Sequence, residues 1–135
     1  MDILRLPART DSLEVFRAFV LKRVESLDVP ATVLFKIELV LEELLTNVIH
    51  YSYPNGSSGD VEVACDLGDD RRLKLVIRDW GIPFDPLAHR CQSLQEDLAH
   101  REIGGLGIHL VRELACKLAH ARDEGSNRLD IYLQL

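Results

Sequence analysis

Hydrophobic residues recur at helical spacing in two long stretches near the start of the chain. The first stretch begins after Thr10-Asp11-Ser12, which favour a helix N-terminus, and is broken by Asp28-Val29-Pro30. The second extends from Val33 to Val48 with one broad apolar stripe, which is typical of a helix that lies on a sheet. Residues 53–59 are dense in turn formers, so we expect this second helix to end near Tyr51.

Alternation of apolar and polar residues predicts strands in other parts of the chain. A short first strand is predicted before Pro7. Residues 61–77 alternate on either side of a turn at 68–71, which indicates a hairpin with one buried face. A last hairpin is predicted to turn at Glu124-Gly125-Ser126-Asn127 and to continue as an alternating strand through residues 129–134.

A third long helix is predicted from about Gly105 to Ala119, where apolar residues again recur at helical spacing. Residues 87–103 before it are polar, and only Ser93–His100 could form a short helix. The order strand, two helices, hairpin, loop, helix, hairpin predicts an α+β fold. We expect a two-layer α/β sandwich in which three helices cover one face of a mixed, mainly antiparallel sheet.

Composition narrows the class of protein. The chain has 135 residues, of which 47% are apolar and 28% charged, so we expect one globular domain over residues 1–135. A net charge of −6 argues against direct binding to nucleic acid. Charges interrupt every apolar stretch, and the N-terminus does not resemble a signal peptide, so we expect no membrane association. The cysteines show no CxxC spacing and predict free thiols in the cytoplasm: Cys65, Cys91 and Cys116.

Asp79 ends an apolar strand and is followed by Gly81 in the run Asp79-Trp80-Gly81-Ile82-Pro83-Phe84-Asp85-Pro86. It shares parity with the inward residues of its strand, so its carboxylate is expected on the covered face, where it needs hydrogen bonds. One interpretation is a turn aspartate at a strand end. The other is that Asp79 accepts a hydrogen bond from a ligand amino group, while Gly81 lets a flat ring approach the backbone.

Two other groups of residues suggest ligand chemistry. Gly104-Gly105-Leu106-Gly107 opens a helix whose free N–H groups suit a phosphate, although a hinge or a tight turn into the helix would also use glycines. Glu43 and Asn47 lie one helical turn apart at the margin of the apolar stripe, whereas Glu38 and Glu42 are expected to point towards solvent. A carboxylate beside an amide can activate a hydroxyl group near a cation, but an exposed Glu and a helix-edge Asn would look the same. For His50, on the same helix edge, we favour a plain surface position over a phosphate contact.

These segments resemble the three motifs of the Bergerat-fold (GHKL) ATPases, in the order in which that family carries them. Residues Glu43–Asn47 resemble the N box, Asp79–Pro86 the first glycine box, and Gly104–Ile108 the second glycine box. The Pro-Phe-Asp-Pro ending and the small size are similar to the anti-sigma-factor serine/threonine kinase branch. The chain departs from the wider superfamily at Pro83, where many members have a glycine.

The resemblance implies a role for each motif. Asn47 would coordinate Mg²⁺ that bridges the ATP phosphates, and Glu43 would act as general base. Asp79 would bind the adenine amino group, with Gly81 giving room. Residues 87–103 would form the ATP lid, anchored at most by Arg90 and Arg101. The second glycine box would bind the cofactor, with the backbone N–H groups of its central residues meeting the phosphates: Gly104, Gly105, Leu106, Gly107 and Ile108.

The same resemblance implies a cytoplasmic kinase that transfers the γ-phosphate of ATP to an anti-anti-sigma (STAS-like) protein and holds a sigma factor inactive. Phosphoryl transfer needs mainly positioning and charge neutralisation, which these motifs supply. A nucleotide-gated binding module without phosphoryl transfer is the alternative, although pure sequestration needs no base such as Glu43. A fragment of a histidine kinase is less consistent with the Pro-Phe-Asp-Pro segment and with the lack of acceptor helices.

The resemblance also implies a homodimer that pairs through its sheet and first helix, away from the lid. The first strand carries apolar residues on both parities, Ile3 against Leu4 and Leu6, and the last strand places Tyr132 on its outward face. A strand face in contact with water would not need both sets. A plain edge strand with scattered apolar residues would give the same pattern.

Overall fold

One sheet and a layer of helices make up the part of the chain that the structure describes. This computed structural model describes residues 1–87 and 105–135, except for the side chains of residues 105 and 106. The strands are β1 (Asp2–Pro7), β2 (Asp60–Leu67), β3 (Arg72–Asp79), β4 (Lys117–Asp123) and β5 (Ser126–Gln134). The α-helices are α1 (Ser12–Val24), α2 (Ala31–Asn47) and α3 (Gly105–Leu114). The candidate helix at Ser93–His100 lies outside the described residues.

The described strands pair in the order β1-β2-β3-β5-β4, and each of the four pairings is antiparallel. The predicted two-layer sandwich is therefore confirmed, and the described strands are all antiparallel where a mixed, mainly antiparallel sheet was expected. The alternating residues of the three central strands that face the helices are buried, and their neighbours are more exposed. Among the described residues, no helix is both long enough and apolar enough to cross a membrane.

The core lies between the helices and the covered face of the sheet. Burial of these apolar side chains holds the two layers together, at roughly 25 cal/mol per Å² of apolar surface removed from water. The fully buried large side chains come from both layers: Phe16, Val20, Val24, Ile37, Val40, Leu41, Leu44, Leu45, Leu73, Leu75, Ile108 and Ile131.

The two N-terminal helices begin and end close to where the hydrophobic pattern predicts. A short 3₁₀ turn, Glu25–Leu27, follows α1, and Asp28 takes a left-handed conformation (φ 54°) that stops the helix. Helix α2 continues past Asn47 as one wide π-helical turn, Val48–Ser52. Such turns are rare and often occur at functional sites, and this one brings Ser52 to the end of β3.

The prediction of a helix from Gly105 to Ala119 is wrong in its last part. Helix α3 ends at Leu114, and the N–H of Cys116 donates to the carbonyl oxygen of Tyr132 (2.8 Å), so the chain joins the sheet as edge strand β4. The spacing of Leu114 and Leu118 fits a helix, but Leu118 packs on the core from a strand. The open edge of β5 decides the outcome, because its backbone groups need partners.

The last turn is shorter than predicted. Only Glu124 and Gly125 lie outside the strands, both with positive φ (48° and 79°), which is the two-residue hairpin loop favoured by right-handed strand twist. Ser126 and Asn127 therefore belong to β5. Asn127 lies directly opposite Asp79 of β3.

Candidate functional site

Asp79 lies on the covered face of the sheet, as its parity predicts, and is 3% exposed. Its Oδ1 accepts hydrogen bonds from the Gly81 N–H (3.0 Å) and from Asn127 Nδ2 (2.9 Å), and its Oδ2 accepts one from Ser52 Oγ (3.2 Å). Burial raises the pKa of the Asp79 carboxyl, and the hydrogen bonds from Asn127, Gly81 and Ser52 partly oppose that rise. Since a carboxylate oxygen can accept two hydrogen bonds, Oδ2 keeps capacity for a ligand donor.

Asn127 is a site residue that the sequence pattern missed, because it was assigned to a turn. Its Nδ2 donates to Asp79 Oδ1 and to the carbonyl oxygen of Ile82 (2.8 Å). Its Oδ1 accepts from the Phe84 N–H and from Arg122 Nη1, both at 3.1 Å. All four hydrogen-bonding positions of this amide are therefore used, and they tie the first glycine box to β5. The Glu124-Gly125 pair was the signal that could have placed Asn127 in the strand.

Gly81 is required by a close backbone contact. A Cβ at this position would collide with the carbonyl group of Ser52, and the N–H of Ile82 donates to that same carbonyl oxygen at 2.9 Å. The π-helical turn after α2 and the first glycine box are thus in direct contact. Ser52 occupies the side of Gly81 on which a Cβ would project, so the structure explains the glycine without a ligand. That Gly81 also gives room to a ligand ring remains a prediction.

A small cavity lies between α2 and the end of the sheet, and Asp79 and Asn127 both line it. Its volume is about 20 Å³, enough for one water molecule, whereas sites for whole ligands are an order of magnitude larger. Phe84 and Pro86 cover it, and the Phe84 ring stacks on Tyr51 with centroids 5.0 Å apart. The cavity is therefore too small for a whole ligand ring.

Asn47 lines the same cavity from α2 and differs from Asn127 in its bonding. Its side chain is 2% exposed, and neither Nδ2 nor Oδ1 has a hydrogen-bond partner among the described residues. An unpartnered buried amide costs about 1–3 kcal/mol, and native structures contain few such groups. The expectation of a plain helix-edge Asn does not fit this burial, and a ligand would supply the missing partners.

Glu43 is half-buried, and its pKa is raised first by burial and then by the neighbouring charge of Glu42. A Cβ at Gly107 would collide with the Glu43 carboxylate, so the first turn of α3 lies directly against this side chain. Glu42 is exposed as expected, but Glu38 is half-buried rather than fully in solvent. The structure therefore brings Glu43 of the N box next to the second glycine box.

The second glycine box is only partly described. Helix α3 begins at Gly105, so its first N–H groups and positive dipole end lie beside Glu43. Ile108 is 2% exposed with its side chain in the core, which leaves only its backbone for a ligand. Gly104, most of the expected lid at 87–103, and its possible anchors Arg90 and Arg101 lie outside the described residues. His50 is exposed, in agreement with the preferred surface position.

The residues present fit Mg²⁺ held together with nucleotide phosphates. The described residues contain no cluster of three or more His, Cys, Asp or Glu side chains that could hold a metal by itself. Mg²⁺ usually keeps several water ligands and takes few from the protein, the remainder coming from phosphates. The unpartnered Oδ1 of Asn47 would supply an oxygen ligand of this kind.

Comparisons with known proteins show the family of the chain. The sequence profile of the histidine kinase-like ATPase domain matches residues 6–133. An anti-sigma F factor of Shouchella clausii is 30% identical over 95 residues, which are 70% of this chain and 64% of that protein. The serine/threonine-protein kinase BtrW of Bordetella bronchiseptica is 28% identical over 98 residues, which are 72% of this chain and 68% of that protein. The chain thus spans about two thirds of the length of these relatives.

A solved structure shows the same fold at low sequence identity. The crystal structure of the RsbU and RsbW domains of a Mycobacterium tuberculosis protein matches 100% of this chain and 33% of that chain. The TM-score is 0.62 and the identity 14%. This match shows the fold alone, whereas the profile and the anti-sigma F factor confirm the resemblance to the anti-sigma-factor kinases of the GHKL superfamily.

Proposed function

The chain belongs to the histidine kinase-like ATPase domain family, and from this premise we propose that it binds ATP with Mg²⁺ as an anti-sigma regulator. The γ-phosphate of ATP is transferred to a serine or threonine of an anti-anti-sigma (STAS-like) protein. In the absence of that transfer the protein holds a sigma factor inactive in the cytoplasm. Relatives that are an anti-sigma F factor and a serine/threonine kinase support both halves of the proposal.

The buried, unpartnered amide of Asn47 is the observation that carries the proposal. It lies one helical turn from Glu43 and lines the same cavity as Asp79. Without a ligand at this place, the buried amide would lower the stability of the protein and nothing would compensate for it. Mg²⁺ bound by Asn47 and the phosphates would neutralise the charge that develops on the transferred group.

The described side chains divide the work. Asp79 binds the base through the free capacity of Oδ2 and is held in place by Asn127 and Gly81. Glu43, whose pKa burial raises, accepts the proton of the attacking hydroxyl more readily than an exposed carboxylate would. The N-terminal turn of α3 next to Glu43 supplies N–H groups for the phosphates.

Incubation with γ-labelled ATP, Mg²⁺ and the product of a neighbouring small anti-anti-sigma-like gene tests the proposal. We expect label on a serine or threonine of that protein, and no label without Mg²⁺. Asn47→Ala should abolish the Mg²⁺-dependent part of ATP binding. ATP binding without any label transfer would instead support the nucleotide-gated binding module.

We also propose that the protein is a homodimer that pairs through the open face of its sheet. Ile3, on β1, is 58% exposed on this face, whereas Leu4 packs against the core. A charge at Leu4 or Leu6 would therefore disturb folding, so Ile3→Glu is the better test. Light scattering of the unaltered chain should give about twice the monomer mass of 15.3 kDa, and the Ile3→Glu variant should have the mass of a monomer. A monomeric unaltered chain would refute the dimer.

A further inference from the structure

His120, on the edge strand β4, has a half-buried imidazole to which no role has yet been assigned. Its side chain is 14% exposed, and its Nε2 is buried without a hydrogen-bond partner among the described residues. Buried polar atoms of native proteins nearly always have a partner, which is often water or a ligand. The position of His120 in the fold therefore indicates what kind of partner its Nε2 takes.

His120 lines the same cavity as Asp79 and Asn127. Asp79 lies opposite Asn127 in the pairing of β3 with β5, and His120 lies opposite Leu129 in the pairing of β5 with β4. The three polar side chains thus come from three adjacent strands and bound a floor that includes Ile77 and Leu129. Because this floor is part of the sheet, strand pairing fixes its geometry.

The contact with Asp85 favours the neutral form of His120 that carries its proton on Nδ1. His120 Nδ1 lies 3.5 Å from Asp85 Oδ2, and Asp85 is itself fixed by the N–H of Leu87, which donates to its Oδ1 at 2.9 Å. A carboxylate only accepts, so in the neutral imidazole the proton belongs on Nδ1. Nε2 then presents a lone pair and is a hydrogen-bond acceptor.

We propose that His120 is a specificity-determining residue of the nucleotide site, whose Nε2 accepts a hydrogen bond from the exocyclic amino group of the base. The inference rests on the proposed function. An amino group carries two hydrogens, and Asp79 Oδ2 has capacity for one of them. The contact is direct, and the cavity of about 20 Å³, which fits one water molecule, also fits an amino group. A base with a carbonyl group at this position would place one acceptor against another and is rejected.

Titration calorimetry with two nucleotides tests the contact. The probes are ATP and a purine ribonucleoside triphosphate that lacks the amino group. In His120→Phe we expect ATP binding to weaken about tenfold, with little change for the analogue and a smaller preference for ATP over GTP. His120→Gln places an amide end near the position of Nε2 and should restore much of the loss. His109→Phe, which alters an exposed histidine of α3, should change neither affinity.

Three results would contradict the inference. Equal weakening for both nucleotides in His120→Phe would show a structural role, and unchanged ATP binding would show no role. Thermal unfolding without nucleotide should confirm that both variants remain folded. If His120→Phe does not fold, the affinities of His120→Gln for the two nucleotides still test the inference. Failure of the unaltered chain to bind ATP would overturn the proposed function and this inference with it, whereas the first two results overturn the inference alone.

Discussion

Two ends of one cavity are built in opposite ways. At one end the Asp79 carboxylate and the Asn127 amide are bonded to each other and to the surrounding backbone, with every position of Asn127 used. At the other end Asn47 is equally buried, yet neither of its amide atoms has a partner in the described part of the chain.

The difference indicates what each end needs from a ligand. The Asp79 end is preorganised, so a base would meet an acceptor that is already oriented and would bind without ordering it first. The Asn47 end is incomplete, and metal and phosphate groups would complete it. The chain thus tolerates a local cost in stability at the place where the proposed chemistry occurs.

Glu43→Ala should have the largest effect on activity. It removes the proposed base at the incomplete end, so phosphoryl transfer should fall by about 10²–10⁴-fold while ATP affinity changes little. Transfer of γ-label into the anti-anti-sigma-like protein measures the first effect, and calorimetry the second. Glu25→Ala alters an exposed carboxylate outside the site, is the matched control and should transfer at the normal rate. Equal rates for Glu43→Ala and the unaltered chain would remove Glu43 from the mechanism.

Asn127→Ala should be the most destabilising change at the preorganised end. It breaks four hydrogen bonds and removes one donor from Asp79, so the free energy of unfolding should fall by about 2–4 kcal/mol. Urea unfolding without nucleotide measures it. Gln134→Ala alters an exposed amide of the same strand and should cost well under 1 kcal/mol. A similar small cost for both variants would show that the Asp79 end is not held by these bonds.

Asp79→Asn separates binding from stability at that end. An amide loses part of the acceptor capacity, so ATP affinity should fall by about 1.5–3 kcal/mol, roughly 10- to 150-fold, by calorimetry. If affinity for ATP does not change, Asp79 is only a turn residue.

The pH dependence of the same variant follows from the raised pKa of Asp79. Because that pKa lies above the ordinary 3.8, the ionised carboxylate costs the unaltered chain stability at neutral pH. The cost begins to shrink as the pH falls through the raised pKa, where the native carboxyl takes up its proton, and is gone below the ordinary 3.8, where the unfolded chain is protonated too. Asp79→Asn lacks this cost, so any advantage in its free energy of unfolding should be greatest at neutral pH and shrink in acid. An advantage that grows in acid would contradict the raised pKa.

Asn47→Ala should have the smallest effect on stability. The amide has no partner to lose among the described residues, and removing it relieves a desolvation cost, which offsets the small cavity left behind. The free energy of unfolding should change by less than about 1 kcal/mol, in contrast to Asn127→Ala. A large loss of stability without nucleotide would mean that the two ends do not differ as described.

Sequence alone predicted the parts of the site that follow from a local period. The inward direction of Asp79 followed from strand alternation, and the neighbouring positions of Glu43 and Asn47 from helical spacing. It did not predict that Asn127 and His120 reach the same cavity. The expected helix reached Ala119, so the strand that holds His120 was not predicted. The expected turn included Asn127, so this residue was not assigned to β5.

The amino-acid pattern by itself determined which faces of the helices and strands are buried, because apolar residues leave water wherever a helical or strand period brings them together. It therefore determined the two layers and the element order up to β3. Only the tertiary structure decided where α3 gives way to β4, because the open edge of β5 requires a hydrogen-bonding partner that no local pattern reveals. The same pairing places Asn127 opposite Asp79 and His120 beside their cavity, since contacts between residues distant in sequence depend on strand register.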